Sequence, residues 1–132
     1  MFGRISLILL SVPALALAQR VDPAVLPPAV AKFCTVVLHG DIAGEGQRFN
    51  ETDLILEDLP TRRIVDYKTS DSTSLLWYEH GGRGYHQHLV RFSTSKPDQI
   101  LESYEFSLST ATTIDDLLSN PASLYPAPKD EL

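Results

Sequence analysis

Cysteine and basic charge are both scarce in this sequence. Cys34 is the only cysteine in 132 residues, which excludes an internal disulfide and any metal site built from several thiolates. Acidic residues outnumber basic ones and give a net charge of −6, so no overall field attracts phosphate backbones. Direct nucleic-acid binding is therefore not expected.

Long apolar runs are also missing, because no segment reaches the roughly 18 apolar residues of a membrane-spanning helix. The longest run, residues 5–17, follows the positive charge of Arg4 and ends in Ala16-Leu17-Ala18, the small-x-small pattern of a signal-peptidase site. Residues 1–18 are predicted to be a signal-peptide-like leader, and no transmembrane anchor is expected.

Signatures of catalysis are absent as well. The chain contains no G-x-S-x-G, no dinucleotide fingerprint and no phosphate loop. The acidic pair Glu57-Asp58 could act as acid and base only if both side chains pointed the same way, and adjacent residues diverge. The sequence predicts no catalytic residue, no cofactor and no enzyme.

Three histidines, His80, His86 and His88, lie within nine residues. In a strand His86 and His88 would share a face and could bind zinc together. A third ligand at a diagnostic spacing is lacking, although Glu79 is near in sequence. The histidines are interpreted as polar residues at a boundary between a loop and a strand, and no metal site is predicted.

Two further signals belong to the secretory pathway. Asn50-Glu51-Thr52 is an N-glycosylation sequon, which makes Asn50 a candidate glycosylation site. The last four residues, Lys129, Asp130, Glu131 and Leu132, match the retrieval signal of soluble endoplasmic-reticulum proteins. Together with the leader, they favour a small soluble protein retained in the endoplasmic reticulum lumen.

Proline content and apolar patterns divide the remaining chain into three parts. Residues 19–28 are a proline-rich lead-in expected to run extended, residues 29–118 form one α+β domain, and residues 119–132 are a proline-rich tail. Within the domain, residues 29–39 favour a helix, with a helix turning into a strand as the alternative. Short strands are predicted at residues 62–67 and 75–78, and a helical turn capped by Thr113 at residues 114–118.

The clearest pattern is a β-hairpin in residues 89–109. A strand at residues 89–93 and a turn around Pro97 and Asp98 precede a second strand at residues 100–108. The alternation of this second strand predicts one core-facing side, with Glu102 as its exception. That side comprises Ile100, Tyr104, Phe106 and Leu108.

Residues 87–110, and the run Glu102-Ser103-Tyr104-Glu105-Phe106 above all, resemble the central hairpin of HORMA domains. The resemblance implies a partial HORMA-like α+β domain with a central β-hairpin, few helices and a long central helix over residues 71–88. Gly81, Gly82 and Gly84 depart from that helix. The later strands and the segment that wraps a bound peptide have no counterpart, so the match is to a truncated domain.

The resemblance also implies a function. HORMA domains are non-catalytic protein–protein interaction modules that add a short peptide as a strand to a sheet edge. A protein or short-peptide partner among meiotic chromosome-axis or checkpoint proteins, and a nuclear or chromosomal location, are therefore expected. The alternative is the secretory-pathway protein described above. Neither reading specifies an oligomeric state.

Overall fold

A computed structural model describes residues 20–132, so the predicted leader lies outside the described residues. The chain has a mixed α+β fold in which a five-stranded antiparallel sheet has the order β1-β2-β3-β4-β5. The strands are β1 (Arg62–Thr69), β2 (Thr73–His80), β3 (His86–Ser93), β4 (Ile100–Phe106) and β5 (Tyr125–Pro126). The helices are α1 (Pro28–Val36) and α2 (Ile114–Leu118). The predicted α+β class is confirmed.

Short turns make the first four strands a meander, since each strand pairs with the next. The predicted strands at residues 62–67 and 75–78 are confirmed within β1 and β2. The predicted hairpin is confirmed as β3 and β4, and its turn is closed by the Gln99 amide, which donates to the Lys96 carbonyl at 2.8 Å. No helix within residues 20–132 has the length and apolar character needed to cross a bilayer.

One face of the sheet, called here the α1 face, is covered by α1. Pro28 starts this helix, where its missing amide hydrogen costs nothing and its φ is already helical. The helix buries Val30 and Phe33, and the Phe33 ring stacks on Phe92 of β3 with ring centroids 4.4 Å apart. The helix favoured by the sequence is confirmed, and most of the apolar core lies on this face.

The opposite face, called here the α2 face, is covered by α2. Thr113 caps this short helix by accepting a hydrogen bond from the Asp116 amide, as predicted. Asp66 of β1 accepts a hydrogen bond from the Ile114 amide at 2.8 Å and ties the helix to the sheet. Ile114 packs with Trp77 and the rest of a second, smaller apolar cluster.

A β-bulge in β4 divides the predicted core side of the hairpin between the two faces. Arg91 pairs with Glu102, whereas Phe92 pairs with Ile100, so Leu101 is an extra residue without a partner. Because side chains alternate along a strand, one extra residue moves everything before it to the other face. Ile100 therefore packs on the α1 face.

The four predicted core residues consequently have different environments. Phe106 is buried on the α2 face, and Tyr104 is partly buried beside it. Ile100 is partly buried on the α1 face, so the prediction of a single shared face was wrong. Leu108 follows the end of β4 and is 81% exposed, so its assignment to the core was also wrong.

Residues 71–88, where the resemblance implies a long helix, instead contain β2, a glycine-rich turn and the start of β3. The expectation of a central helix was therefore wrong. Gly81 is essential to the turn, because a Cβ at this position would lie 1.6 Å from the Asn50 carbonyl oxygen. The β-branched and aromatic residues on either side of the turn suit paired strands better than a helix.

Both ends of the described chain contain secondary structure. The lead-in contains a 3₁₀ helix at Pro23–Val25, capped by the Asp22 side chain, so the prediction that it runs extended was wrong. In the tail, β5 pairs with Tyr104 and Glu105 of β4. The tail therefore contributes a strand to the sheet.

Candidate metal centre

The β2–β3 hairpin brings the three neighbouring histidines together at one end of the sheet. His80 ends β2 and lies directly opposite His86, which begins β3. His88 lies two residues further along β3 and therefore on the same face. One ligand atom from each ring can be chosen so that all three lie within 4.8 Å of one another. Among residues 20–132 this is the one group of three or more such side chains placed to hold a metal ion.

The cluster lies on the α1 face, at the border of the apolar core. His88 is fully buried and stacks on Tyr78, with ring centroids 5.1 Å apart. His80 and His86 are only partly buried because they lie next to the glycine-rich turn. The cluster thus has a dry, rigid inner side and an outer side through which an ion can enter.

Hydrogen bonds constrain the ring hydrogens of two of the histidines. The Gly84 carbonyl lies 2.7 Å from His86 Nδ1 and can only accept, so His86 Nδ1 carries a hydrogen. His88 Nε2 lies 2.8 Å from His86 Nε2, and one of these two nitrogens donates to the other. A carbonyl on the remote nitrogen is the usual way in which proteins orient a metal-binding imidazole.

Two ring nitrogens of the cluster are buried without a hydrogen-bond partner, His80 Nδ1 and His88 Nδ1. Most buried side-chain nitrogens and oxygens have a partner, and leaving one without a partner costs about 1–3 kcal/mol. Two such atoms in one cluster therefore lower the free energy of unfolding. A metal site is one setting in which proteins tolerate this loss of stability.

The surroundings keep two of the rings neutral. Burial, followed by the charge of Arg62, lowers the pKa of His80 from 6.5 to about 4. Burial, followed by the proximity of His86, lowers the pKa of His88 from 6.5 to about 3. Neutral imidazole is the form that binds a metal, so neither ring starts from its cationic form at neutral pH.

The positive charge of Arg62 acts on His80 and His88 and would oppose a bound cation. Its guanidinium is held by Asp41, at 3.2 Å between Nη1 and Oδ2, and by the Leu132 carbonyl, at 2.7 Å from Nη2. These two acceptors reduce the repulsion that Arg62 exerts on the cluster. Asp41 also acts directly on His80, whose pKa it raises against the larger effects of burial and Arg62.

Two glutamates, Glu79 and Glu105, lie near the histidines in sequence or in space, and they project from opposite faces of the sheet. Glu79, noted as a neighbour in sequence, lies on the α2 face, where it pairs with Arg63 at 2.7 Å and accepts a hydrogen bond from Tyr85. Glu105 of β4 lies opposite His88, on the α1 face, with Oε1 3.7 Å from His86 Nε2. Of these two glutamates, Glu105 is the one beside the cluster.

Three imidazoles on paired strands, two of them kept neutral by burial, form a ligand set suited to zinc and related divalent transition metals. In a tetrahedral zinc site the ligand atoms are separated by about 3.3 Å, given metal–ligand distances of about 2.0–2.2 Å. The observed 2.8 Å between the Nε2 atoms of His86 and His88 is close to that value. Coordination would require every pair of ligand atoms, now within 4.8 Å, to lie about 3.3 Å apart.

The candidate glycosylation site does not present its acceptor nitrogen to solvent. Asn50 is 3% exposed, and its Nδ2 donates both hydrogens, to the Leu56 and Leu59 carbonyls. Its Oδ1 accepts a hydrogen bond from the Leu56 amide. A glycan on Asn50 would break these bonds, so the side chain is a structural anchor of the loop in this fold.

The candidate retention signal is exposed except at its last residue. Lys129, Asp130 and Glu131 are exposed, whereas Leu132 packs partly buried on the α1 face. The Arg62 side chain binds the Leu132 carbonyl, as described above. The hairpin residues Ile100, Tyr104, Phe106 and Leu108 form no shared surface, so they do not make a second site.

The sequence interpretation missed the contribution of His80 and Glu105. The glycine-rich segment between His80 and His86 was the available signal, since a turn there places the two histidines opposite each other in a hairpin. Glu105 could be placed only by the register of β4, which the bulge changes. No protein-family model, curated protein or solved structure matches this chain.

Proposed function

We propose that this chain is a non-catalytic protein that binds one divalent transition-metal ion of the zinc type through His80, His86 and His88. The observation that carries the proposal is the convergence of these side chains, with ligand atoms within 4.8 Å of one another. The lowered pKa values of His80 and His88 add to it, because neutral imidazole is the form that binds a metal.

Metal titration of the purified, chelator-treated chain tests the proposal. Zinc measured by calorimetry, and Co²⁺ measured by its visible absorption, should each bind with a stoichiometry of one. Replacing His86 or His88 by Ala should weaken binding at least about tenfold, since loss of even an outer-shell partner typically costs 10–100-fold.

His39→Asn provides the matched control. His39 is exposed and has a φ of 56°, a conformation that Asn tolerates. This variant should bind zinc as the unaltered chain does. Absence of binding by the unaltered chain, or equal weakening in the His39 variant, would reject the proposal.

A second function is proposed on a different observation, the partly open edge of β4. Within residues 20–132, β5 pairs with Tyr104 and Glu105, and the Ala127 amide donates to the Ser103 carbonyl, which leaves residues 100–102 of β4 without a neighbour on that side. An exposed strand edge can accept an extended peptide. On this edge and the β3–β4 hairpin we propose a HORMA-like interaction role with a protein or short-peptide partner. The link to meiotic chromosome-axis or checkpoint proteins is proposed from the sequence resemblance alone.

Peptide display followed by hydrogen exchange tests this second proposal. A peptide selected for binding should protect from exchange those backbone amides of residues 100–102 that face away from β3, because strand addition pairs these groups. Protection of other regions alone would show that the peptide binds elsewhere and would reject strand addition at this edge.

A further inference from the structure

Among the basic side chains of the described residues, Glu105 contacts only a histidine, His86. The two other glutamates of the sheet pair with arginine, Glu79 with Arg63 and Glu102 with Arg91. Within the described residues, Glu105 has a single ionic contact, 3.7 Å from Oε1 to His86 Nε2. Its side chain is 40% exposed and can reorient at little cost.

The register of the sheet directs this carboxylate toward the cluster. Glu105 is the partner of His88 across the β3–β4 ladder, and paired residues project from the same face. The histidine cluster and this carboxylate therefore come from three adjacent strands. Strand β2 contributes His80, β3 contributes His86 and His88, and β4 contributes Glu105. Asp41, the other carboxylate near the cluster, already binds Thr61 and Arg62.

We infer that Glu105 is the fourth protein ligand of the metal site, an inference that rests on the metal-binding function proposed above. Carboxylate oxygen and imidazole nitrogen bind zinc at nearly equal distances, about 2.0–2.2 Å, so one tetrahedral shell accommodates both. The 3.7 Å separation between Glu105 and His86 is close to the roughly 3.3 Å required between ligands.

A fourth protein ligand changes what the site can do. Zinc sites with three protein ligands and a water molecule are typically catalytic, whereas sites closed by four protein ligands are structural. With Glu105 bound, the ion would join β2, β3 and β4 and leave no position for substrate. The negative charge of Glu105 would also offset the repulsion from Arg62.

Glu105→Gln tests the inference, because it removes the charge and keeps the size of the side chain. Zinc affinity should fall at least about tenfold, and the visible spectrum of bound Co²⁺ should change, since the ligand set would change. Glu102→Gln is the matched control: this residue also lies on β4, but it pairs with Arg91 on the α2 face. Its zinc affinity should equal that of the unaltered chain.

Glu105→Asp separates coordination from a general effect of charge. Asp keeps the charge but withdraws the carboxylate by one methylene, so a ligand role predicts weaker binding and a changed Co²⁺ spectrum. If either Glu105 variant bound zinc and Co²⁺ as the unaltered chain does while His86→Ala did not, the ligand role would be rejected and the metal site would stand. If the unaltered chain bound no metal, the proposed function itself would fail.

Discussion

Phe106 and Leu108 are two residues apart and meet opposite environments. Phe106 is 3% exposed and its ring lies 5.9 Å from that of Trp77, whereas Leu108 is 81% exposed. The difference arises because β4 ends at Phe106 and the chain then leaves the sheet. Alternation identifies which residues share a face of a strand, but it does not show where the strand ends.

Phe106→Asp should strongly destabilise the protein. The change removes a buried ring from the α2 face, a loss that costs about 3–5 kcal/mol for Phe→Ala, and it also buries a charge without a partner. Leu108→Asp is the control and should change the free energy of unfolding by less than about 0.5 kcal/mol. Urea unfolding measures both, and similar midpoints for the two variants would contradict this packing.

Within the β2–β3 hairpin, alternation, the turn and the pairing register act together to make a site. A single histidine does not predict a metal site, since an isolated histidine is commonly an ordinary polar residue. Two strands joined by a turn at residues 81–85 place three of them on one face. The turn itself depends on Gly81, whose close approach to Asn50 links the hairpin to the preceding loop.

The stability of the metal-free protein should fall as the solution is acidified below about pH 6.5. The folded pKa values of His80 and His88 are lowered from 6.5 to about 4 and about 3. Between those values and 6.5 the unfolded chain binds protons that the folded chain does not, so acid favours unfolding. Stability from this source is full above pH 6.5 and declines as the pH falls toward about 4 and then 3.

Urea unfolding at pH 7 and pH 5, with a chelator present, measures this dependence. Both pH values lie above the ordinary pKa range of carboxylates, about 3.9–4.3, so histidines dominate the difference in stability between them. His88→Asn should reduce the loss of stability between the two pH values, whereas His39→Asn should leave it unchanged. Equal stability of the unaltered chain at the two pH values would contradict the assignment of neutral, buried imidazoles.

At the scale of the molecule, two proposed locations compete. The leader and the terminal tetrapeptide favour the endoplasmic reticulum lumen, whereas the HORMA resemblance favours the nucleus. Burial of Asn50 makes a glycan shift a poor measure of compartment. Cleavage of the leader is the better measure.

A tag inserted at the exposed turn between Glu57 and Asp58 allows the leader to be followed in cells. The secretory proposal predicts a product shortened by residues 1–18, and Ala16→Arg should block this cleavage because the −3 position requires a small residue. The nuclear proposal predicts an intact leader and nuclear tag. A shortened product outside the nucleus would contradict the HORMA-linked location.

The sequence by itself determined the local elements of this protein. Pro28 and the apolar run after it specified α1, Thr113 specified the start of α2, and the β-branched and aromatic runs specified β1, β2 and the β3–β4 hairpin. These features depend on local propensity, caps and turn residues, which act over a few positions along the chain.

Only the tertiary structure decided which of these residues meet. The bulge at Leu101 moved Ile100 to the α1 face, and the pairing of β3 with β4 brought Glu105 beside His88. The lowered pKa values of His80 and His88 depend on burial and on Arg62, a contribution from another strand. Register and burial arise from contacts between distant segments, which is why a histidine cluster that looks ordinary in sequence becomes a candidate metal centre in the fold.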